Sequence, residues 1–244
     1  MQKTLILGGT SEASKLARVM SVNGKNAIFS YAGRTNKPVS QPLPTRIGGF
    51  GGAAGLARYI RDHHITHLVD ATHPFAAQMS QNAVTAANET GVDFAVLERP
   101  AWSARAEDKW LEVADYAAAV AALGAGQERV FLAIGKQNIN AFQCAPQHQY
   151  LLRLVDDPDE EINLPNFCVI KARGPFDVAG DLALLRDHRI TKIVAKNAGG
   201  TGAEAKLTAA RALGIEVILI QRPSLGPRPI FHSPEAVLNW LDRN

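Results

Sequence analysis

Short runs rich in valine, isoleucine and leucine alternate along the chain with alanine-rich stretches whose apolar residues recur at helical spacing. Apolar runs without polar alternation are typical of parallel strands that helices cover on both faces. The predicted strands are Thr4–Leu7, Ala27–Tyr31, Leu68–Ala71, Phe94–Leu97, Val130–Ile134, Tyr150–Leu154, Ile193–Ala195 and Val217–Ile220. The predicted helices are Ser11–Met20, Ala53–His63, Pro74–Thr90, Asp115–Leu123, Ala203–Leu213 and Pro234–Leu241. This alternation predicts an α/β fold of Rossmann-like type with parallel sheets.

One stretch of the pattern occurs twice. Residues 61–69 read RDHHITHLV, and residues 186–194 read RDHRITKIV. A loop, an alanine-rich helix and a further strand follow each copy, which favours an internal duplication over chance likeness. We therefore predict two Rossmann-like domains, residues 1–124 and 125–244. Because ligands of open α/β folds bind at the carboxyl ends of the strands, the active site is expected in a cleft between the two domains.

The first strand leads directly into a glycine-rich turn and a predicted helix. Gly8 and Gly9 let the backbone turn sharply, Thr10 suits the N-cap position, and Glu12 lies in the first helical turn. Unpaired N–H groups at a helix start favour a phosphate. The run is not GxGxxG, so it meets the dinucleotide fingerprint only in part. The run predicts a phosphate site, with a simple tight turn as the alternative. The candidate cofactor contacts here are Gly8, Gly9, Thr10 and Glu12.

The end of the second strand indicates which dinucleotide would bind. NAD sites place an acidic residue there to hold the ribose hydroxyls, but residues 29–35 read FSYAGRT and contain no acid. Ser30 and Arg34 instead suit a 2′-phosphate. The sequence thus favours NADPH over NADH, unless Arg34 is simply a solvated surface arginine.

Two further loops are expected at the same edge of the sheet. Residues 46–52, RIGGFGG, carry four glycines where the third strand should end, and Gly49 and Gly51 are candidate cofactor contacts. A flexible loop is the alternative. In the run DATHPFA, residues 70–76, Thr72 is a further candidate cofactor contact. His73 is a candidate for touching substrate or donating a proton, although a lone histidine at a helix start is more often structural.

The second half carries lysine and asparagine where the first half has threonine and histidine. Lys136 follows the strand that ends at Ile134, and Lys196 opens the run KNAGGTGAEAK. Such residues suit an anionic substrate, because lysine and arginine are the usual partners of carboxylates. The other candidate substrate-binding residues are Arg99, Asn197, Gly199 and Gly200.

Composition narrows the class of protein. The net charge of +3 is weak and scattered, which argues against nucleic acid and fits a small anionic ligand. Cys144 and Cys168 are far apart and form no CxxC, so neither a disulfide framework nor a metal site is expected. No secretory signal or membrane-spanning run is visible, and a cytoplasmic protein is expected. The sequence leaves the oligomeric state undetermined.

Taken together, the GGTSE start, the RIGGFGG loop and the runs DATHPFA, ERPAW and KNAGGTGAEAK resemble the precorrin-6A reductase family of cobalamin biosynthesis. The likeness runs from about Thr4 to Pro223, and the motifs are specific only in combination. The resemblance implies NADPH-dependent reduction of a double bond of precorrin-6A to give precorrin-6B. It also implies a tetrapyrrole substrate with many carboxylates, in agreement with the basic residues above. His73, Lys136 and Lys196 are the candidate catalytic side chains, with water as the favoured source of the proton.

Other hypotheses about the substrate and the class of function stay open at this point. The family also contains members that act on the cobalt-containing intermediate, although the metal-free substrate is favoured. A non-catalytic two-lobed protein that binds anions or nucleotides would show the same glycine-rich turns. A nucleotide-sugar transferase would also pair two Rossmann-like domains, but it would bind its nucleotide through the second one.

Overall fold

The computed structural model describes residues 2–33, 38–156 and 161–243. The chain forms two compact units. The first unit is Met1–Pro100 together with Ser224–Asn244, and the second unit is Ala101–Pro223. This division replaces the predicted boundary at residues 124 and 125. The predicted cleft between domains stays a prediction.

The elements follow one another in alternation. Up to residue 100 the first unit contains β1 (Thr4–Leu7), α1 (Ser11–Val22), β2 (Ala27–Tyr31), β3 (Thr45–Ile47), α2 (Gly52–Asp62), β4 (His67–Asp70), α3 (Ala77–Thr90) and β5 (Asp93–Leu97). The second unit contains β6 (Trp110–Val113), α4 (Tyr116–Leu123), β7 (Arg129–Ala133), a 3₁₀ helix (Lys136–Cys144), β8 (Gln149–Leu154), β9 (Phe167–Lys171), α5 (Val178–Asp187), β10 (Lys192–Lys196), α6 (Ala205–Leu213) and β11 (Glu216–Ile220). The chain then returns to the first unit with β12 (Ile230–Phe231) and α7 (Pro234–Leu241).

Each unit has one six-stranded parallel sheet, and the two sheets share one strand order. The first sheet runs β12-β5-β4-β1-β2-β3 and the second runs β6-β11-β10-β7-β8-β9. Both are the doubly wound Rossmann order, which confirms the predicted fold class. The sixth strand of each sheet comes from the other half of the chain, because β6 pairs with β11 and β12 pairs with β5. This exchange is the physical reason why the predicted boundary was wrong.

The repeated RDH run ends a helix in both units. His63 closes α2 and His188 closes α5, each through backbone hydrogen bonds to the preceding turn. The next residues, His64 and Arg189, both adopt φ of 51°, a left-handed conformation that is uncommon outside glycine. The same local geometry at both copies agrees with the predicted duplication.

The structure contains every predicted strand within about one residue of its expected bounds. The strands that lacked predicted bounds are β3, β6, β9 and β12, and these are the four edge strands. The side chains of an edge strand are partly exposed, so burial does not require a continuous apolar run there. Strand β9 does contain such a run, FCVI, but none of its residues is buried. In β6, for example, the neighbouring residues Leu111 and Glu112 are both exposed.

Helix α3 begins later than predicted, as does α6, which begins at Ala205 rather than Ala203. Pro74 was expected at the first helical position, but α3 begins at Ala77. His73 takes up the intervening backbone N–H groups: Phe75 N donates to its Nδ1 at 3.2 Å and Ala76 N donates to its carbonyl at 2.7 Å. These bonds form a separate turn before the helix.

Two general properties of the described residues bear on the class of protein. Within residues 2–33, 38–156 and 161–243, no helix is both long enough and apolar enough to cross a membrane. Cys144 and Cys168 are free thiols, and both are exposed.

The C-terminal return of the chain should be essential to the first unit. Val237 and Leu241 are fully buried against α1, β1 and β2, and Phe231 and Trp240 pack beside them. Burial of these side chains contributes roughly 5 kcal/mol or more. A chain that ends at Pro223 is therefore expected to lose amide hydrogen-exchange protection throughout β1 to β5. A chain that lacks only residues 243 and 244 is the control, and unchanged protection in the shorter chain would contradict the expectation.

Candidate active site

The loops singled out in the sequence of the first unit meet at one edge of its sheet. Strands β1, β2, β3 and β4 are parallel, so their carboxyl ends lie side by side. The loops that follow them begin at Gly8, Ala32, Gly48 and Ala71. This is the edge at which open α/β sheets bind their ligands.

The two glycines after β1 have different physical roles. A β-carbon on Gly8 would lie 2.1 Å from a ring carbon of Phe29, so this glycine is required by packing within the sheet. Gly9 has φ of 131°, and a β-carbon there would meet nothing within 4 Å. Of the two, only Gly9 presents open backbone at the edge of the sheet. A cofactor contact for either residue stays a prediction.

Thr10 is the N-cap of α1, as predicted. Its hydroxyl accepts a hydrogen bond from Ala13 N at 3.1 Å and donates one to the carbonyl of Ala71 at 2.8 Å. The first bond satisfies one free N–H group of the helix, and the second joins the turn after β1 to the loop after β4. The hydroxyl therefore fixes the two loops that would flank a bound phosphate.

Glu12 and Arg99 were assigned to different ligands, but they contact each other. Arg99 Nη1 donates to Glu12 Oε2 at 2.8 Å, and both side chains are only 17% exposed. Burial raises the pKa of Glu12, but its own backbone N–H and the Arg99 guanidinium outweigh burial, so the pKa lies below its usual value. The guanidinium thus compensates a carboxylate that would otherwise repel an anion at the start of α1. A substrate role for Arg99 stays a prediction.

The hydroxyl of Ser30 is held by an arginine that we did not select from the sequence. Ser30 is buried at the end of β2, and Arg46 of β3 donates from Nη1 to Ser30 Oγ at 2.8 Å. Arg46 is the first residue of the RIGGFGG run, in which only glycines were predicted to contact the cofactor. Its place at the end of a predicted strand was the signal that could have identified it. Arg34 lies outside the described residues.

The RIGGFGG loop leads into α2 through residues that require glycine. Gly51 is the N-cap of α2 with φ of 80°, and Gly52 follows with φ of 87°. Because Gly51 has no side chain to accept a hydrogen bond, the first N–H groups of α2 are not capped by it. Gly49 accepts a hydrogen bond from Arg46 Nη2 through its carbonyl at 3.1 Å. The loop therefore offers uncapped N–H groups beside a fixed guanidinium, which suits an anion.

The loop after β4 is ordered by a buried acid. Thr72 donates from both its backbone N and its hydroxyl to Asp70 Oδ1, at 3.1 and 2.7 Å. His73 follows, and its Nδ1 is an acceptor, which places the proton of a neutral imidazole on Nε2. Both predicted residues thus lie at the expected edge. Their contacts with ligand stay predictions.

In the second unit, Lys196 is brought against the turn after β7. It ends β10, and a β-carbon on Gly135 would lie 3.8 Å from its Nζ. Removal from water lowers the pKa of the Lys196 ammonium to about 8. Lys136 is the next residue after Gly135 and begins the 3₁₀ helix. The predicted lysines therefore lie at the carboxyl ends of two adjacent strands of the second sheet, β10 and β7.

The loop after Lys196 is tied to a tryptophan that we did not select from the sequence. Asn197 is buried, and its amide accepts from Trp102 N at 2.8 Å and donates to Trp102 O at 3.1 Å. Trp102 Nε1 donates to the carbonyl of Gly200 at 2.8 Å. Gly199 and Gly200 have φ of 68° and 71°, a left-handed backbone. Asn197 thus has a structural function, and substrate contacts of Asn197, Gly199 and Gly200 stay predictions.

A cavity of about 250 Å³ lies elsewhere, at the amino ends of β7, β8 and β9. It is lined by side chains that include Arg129, Gln149, Phe167, Cys168 and His188. None of the predicted site residues lines it. Because ligands of doubly wound sheets bind at the opposite edge, this cavity does not alter the site described above.

Comparison with known proteins matches the chain over nearly its whole length. The family model described as "Precorrin-6x reductase CbiJ/CobK" matches residues 3–242. The precorrin-6A reductase of Rhodobacter capsulatus is 58% identical over 99% of this chain and 96% of its own length. That of Mycobacterium tuberculosis is 39% identical over 92% of this chain and 91% of its own.

Two further matches bear on the fold and on the range of relatives. A solved structure described as "CobK precorrin-6A reductase" has a TM-score of 0.95 and 58% identity, covering 100% of this chain and 97% of its own. The cobalt-precorrin-6A reductase of Priestia megaterium is 27% identical over 97% of each chain.

Proposed function

Because this chain belongs to the precorrin-6x reductase family, we propose that it reduces a ring double bond of precorrin-6A to give precorrin-6B in cobalamin biosynthesis. The observation that carries this proposal is the full-length likeness to precorrin-6A reductases. The chain is therefore an oxidoreductase that acts on a CH–CH bond. NADPH, when bound, supplies the hydride.

The metal-free substrate is favoured over its cobalt-containing counterpart. Relatives named for precorrin-6A share 58% and 39% of residues with this chain, whereas a relative named for the cobalt form shares 27%. Residues that contact the macrocycle are expected to diverge with the substrate, so the higher identity supports precorrin-6A.

The carboxyl edge of the first sheet is the proposed cofactor site. Gly9 offers open backbone, Thr10 fixes the start of α1, and Gly51 leaves the start of α2 uncapped. Two helix N-termini suit the pyrophosphate of a dinucleotide. The end of β2 carries Ser30 in place of the acid that NAD sites use, which supports NADPH over NADH.

The carboxyl edge of the second sheet is the proposed substrate site. Lys196 and Lys136 would attract the carboxylates of the tetrapyrrole, and the desolvation of Lys196 strengthens such an attraction. Holding the nicotinamide beside the reducible carbon of the macrocycle supplies much of the rate acceleration, because two bound ligands need not meet by diffusion. The added proton would come from water, with His73, Lys136 and Lys196 as the alternative donors.

The pH dependence of the reaction should report Lys196. Because burial disfavours its charged form, Lys196 loses its proton near pH 8 rather than above pH 10. An anionic substrate needs the ammonium, so kcat/KM is expected to fall about tenfold per pH unit above about pH 8. In Lys196→Arg the guanidinium stays charged and this alkaline limb should disappear. A wild-type profile that stays flat to pH 10 would contradict the assignment.

Thermal shift separates the proposal from the two other classes of function. A ligand that binds only the folded state raises Tm with the logarithm of its concentration. NADPH is expected to raise Tm, and a uridine diphosphate sugar is not. The reverse result would favour a nucleotide-sugar transferase and overturn the cofactor assignment. Binding of NADPH with no oxidation in the presence of precorrin-6A would favour a non-catalytic binding protein.

A further inference from the structure

Arg46 is fixed at the carboxyl edge of the first sheet by neutral groups. It pairs in register with Ser30 on the neighbouring strand β2. Its Nη1 donates to Ser30 Oγ at 2.8 Å and its Nη2 donates to the carbonyl of Gly49 at 3.1 Å. The guanidinium carbon lies 3.9 Å from the ring centroid of Phe50 and 5.2 Å from that of Tyr59. The side chain is thus held on two sides before any ligand binds.

The positive charge of Arg46 is not balanced by a nearby acid. Among the described residues, no carboxylate lies within 4.0 Å of its guanidinium. Arginine carries five N–H donors, and the two hydrogen bonds above leave donors for a further acceptor. A guanidinium that is pre-positioned and uncompensated is suited to a phosphate.

The second unit provides a built-in comparison. Arg153 stands in β8, the next-to-last strand of the second sheet, paired with Ile170 of edge strand β9. It stacks over Phe176 at 3.7 Å, much as Arg46 stacks over Phe50. Arg153 is nearly buried, however, and forms an ion pair with the buried Asp181. An acid therefore neutralises the guanidinium of Arg153 within the second unit, whereas no described carboxylate does so for Arg46.

We infer that Arg46 binds the 2′-phosphate of the adenosine ribose and so sets the preference for NADPH. This inference rests on the proposed function, because it assumes that the first unit holds the cofactor. In Rossmann-type sites the ribose lies at the end of the second strand, where an arginine can replace the acid that NAD requires. Arg46 lies beside the end of β2, with Ser30 between it and the sheet core.

A bracing role is the competing explanation. Arg46 joins Ser30 to the carbonyl of Gly49, so its loss could loosen the whole glycine-rich loop. A loosened loop would weaken every dinucleotide alike, whereas a lost phosphate contact weakens only the 2′-phosphorylated one. NADP⁺ and NAD⁺ differ in that phosphate alone, so their dissociation constants distinguish the two roles without any turnover.

Calorimetric titration of NADP⁺ and NAD⁺ into Arg46→Met and Arg46→Lys tests the inference. Arg46→Met is expected to raise the Kd for NADP⁺ about 10- to 100-fold, as the loss of a charged hydrogen-bonded pair does, with the Kd for NAD⁺ changed less than about threefold. Arg46→Lys should fall between, since lysine keeps the charge and loses the fork geometry. Arg58→Met, an exposed substitution in α2, is the control and should bind both as the wild type does.

Failure of the inference and failure of the cofactor proposal give different results. A wild-type protein that does not prefer NADP⁺ over NAD⁺ would overturn the NADPH assignment itself. A wild-type preference that Arg46→Met and Arg46→Lys leave unchanged would overturn only the role of Arg46 and would favour Arg34. Equal weakening of both dinucleotides in Arg46→Met would assign Arg46 to bracing, and this too would overturn the inference.

Discussion

Lys196→Met is expected to lower kcat/KM for precorrin-6A by about 100-fold or more while changing the Kd for NADPH less than about threefold. Lys196 lies at the carboxyl edge of the second sheet, where removal from water lowers its pKa to about 8. An ion pair formed at a desolvated site is strong, and removal of one partner costs about 2–5 kcal/mol, which corresponds to a loss of roughly 30- to 5,000-fold. Methionine keeps most of the length of the side chain, so packing changes little.

Lys192→Met is the matched control for this prediction. Lys192 lies at the other end of the same strand, where its nearest carboxylates, Glu128 and Glu216, are 3.9 and 3.8 Å away. It should retain kcat/KM within about twofold, since such ion pairs contribute little. Steady-state kinetics and NADPH titration on both variants give the comparison. Loss of NADPH binding in Lys196→Met would place this loop on the cofactor instead.

Gly8→Ala is expected to destabilise the protein by about 3 kcal/mol, and to lower Tm by roughly 6–12 °C. The added carbon would lie 2.1 Å from the ring of Phe29, which is fully buried in the core of the first unit. The ring has no room to move without displacing its neighbours, because protein interiors are close-packed. Calorimetry of the unfolding transition measures the change.

Gly126→Ala is the control for the effect of an added methyl group. A β-carbon at Gly126 would meet nothing within 4 Å, and its φ lies outside the left-handed region. Its Tm should stay within about 2 °C of the wild type. A Tm of Gly8→Ala equal to that of the control would disprove the close packing of Gly8 against Phe29. It would also disprove the structural explanation of this glycine.

The central strands could be predicted because their environment allows only one pattern of residues. Residues such as Leu68 and Val69 are buried on both faces of a parallel sheet, and only a continuous apolar run satisfies that environment. No residue of the edge strand β6 is fully buried, so its sequence needs neither a continuous apolar run nor a strict alternation. The exchange of the sixth strands could not be predicted from the sequence. No local feature distinguishes a strand that pairs within its own half of the chain from one that pairs with the other half.

The candidate site was predicted in outline and altered in detail. The glycine-rich turns, Thr10 as N-cap and the lysines all lie at the expected sheet edges. The structure showed that Gly8 serves packing, and that Glu12 and Arg99 form an ion pair. Such pairings join residues far apart in sequence, and a single sequence carries no record of them. Arg46 was not among the predicted site residues for a different reason. In the RIGGFGG run the glycines alone were interpreted as ligand contacts, and an arginine beside them can equally be a solvated surface residue.

The most direct test of the account is turnover of precorrin-6A with each nicotinamide cofactor. The protein should oxidise NADPH in step with disappearance of precorrin-6A, one equivalent for each, as followed by the absorbance of both compounds. NADH should support the reaction much less well at the same concentration. Stoichiometric oxidation of NADPH that yields precorrin-6B is the predicted result. Consumption of precorrin-6A with NADH but not NADPH, or no oxidation of either, would contradict the account.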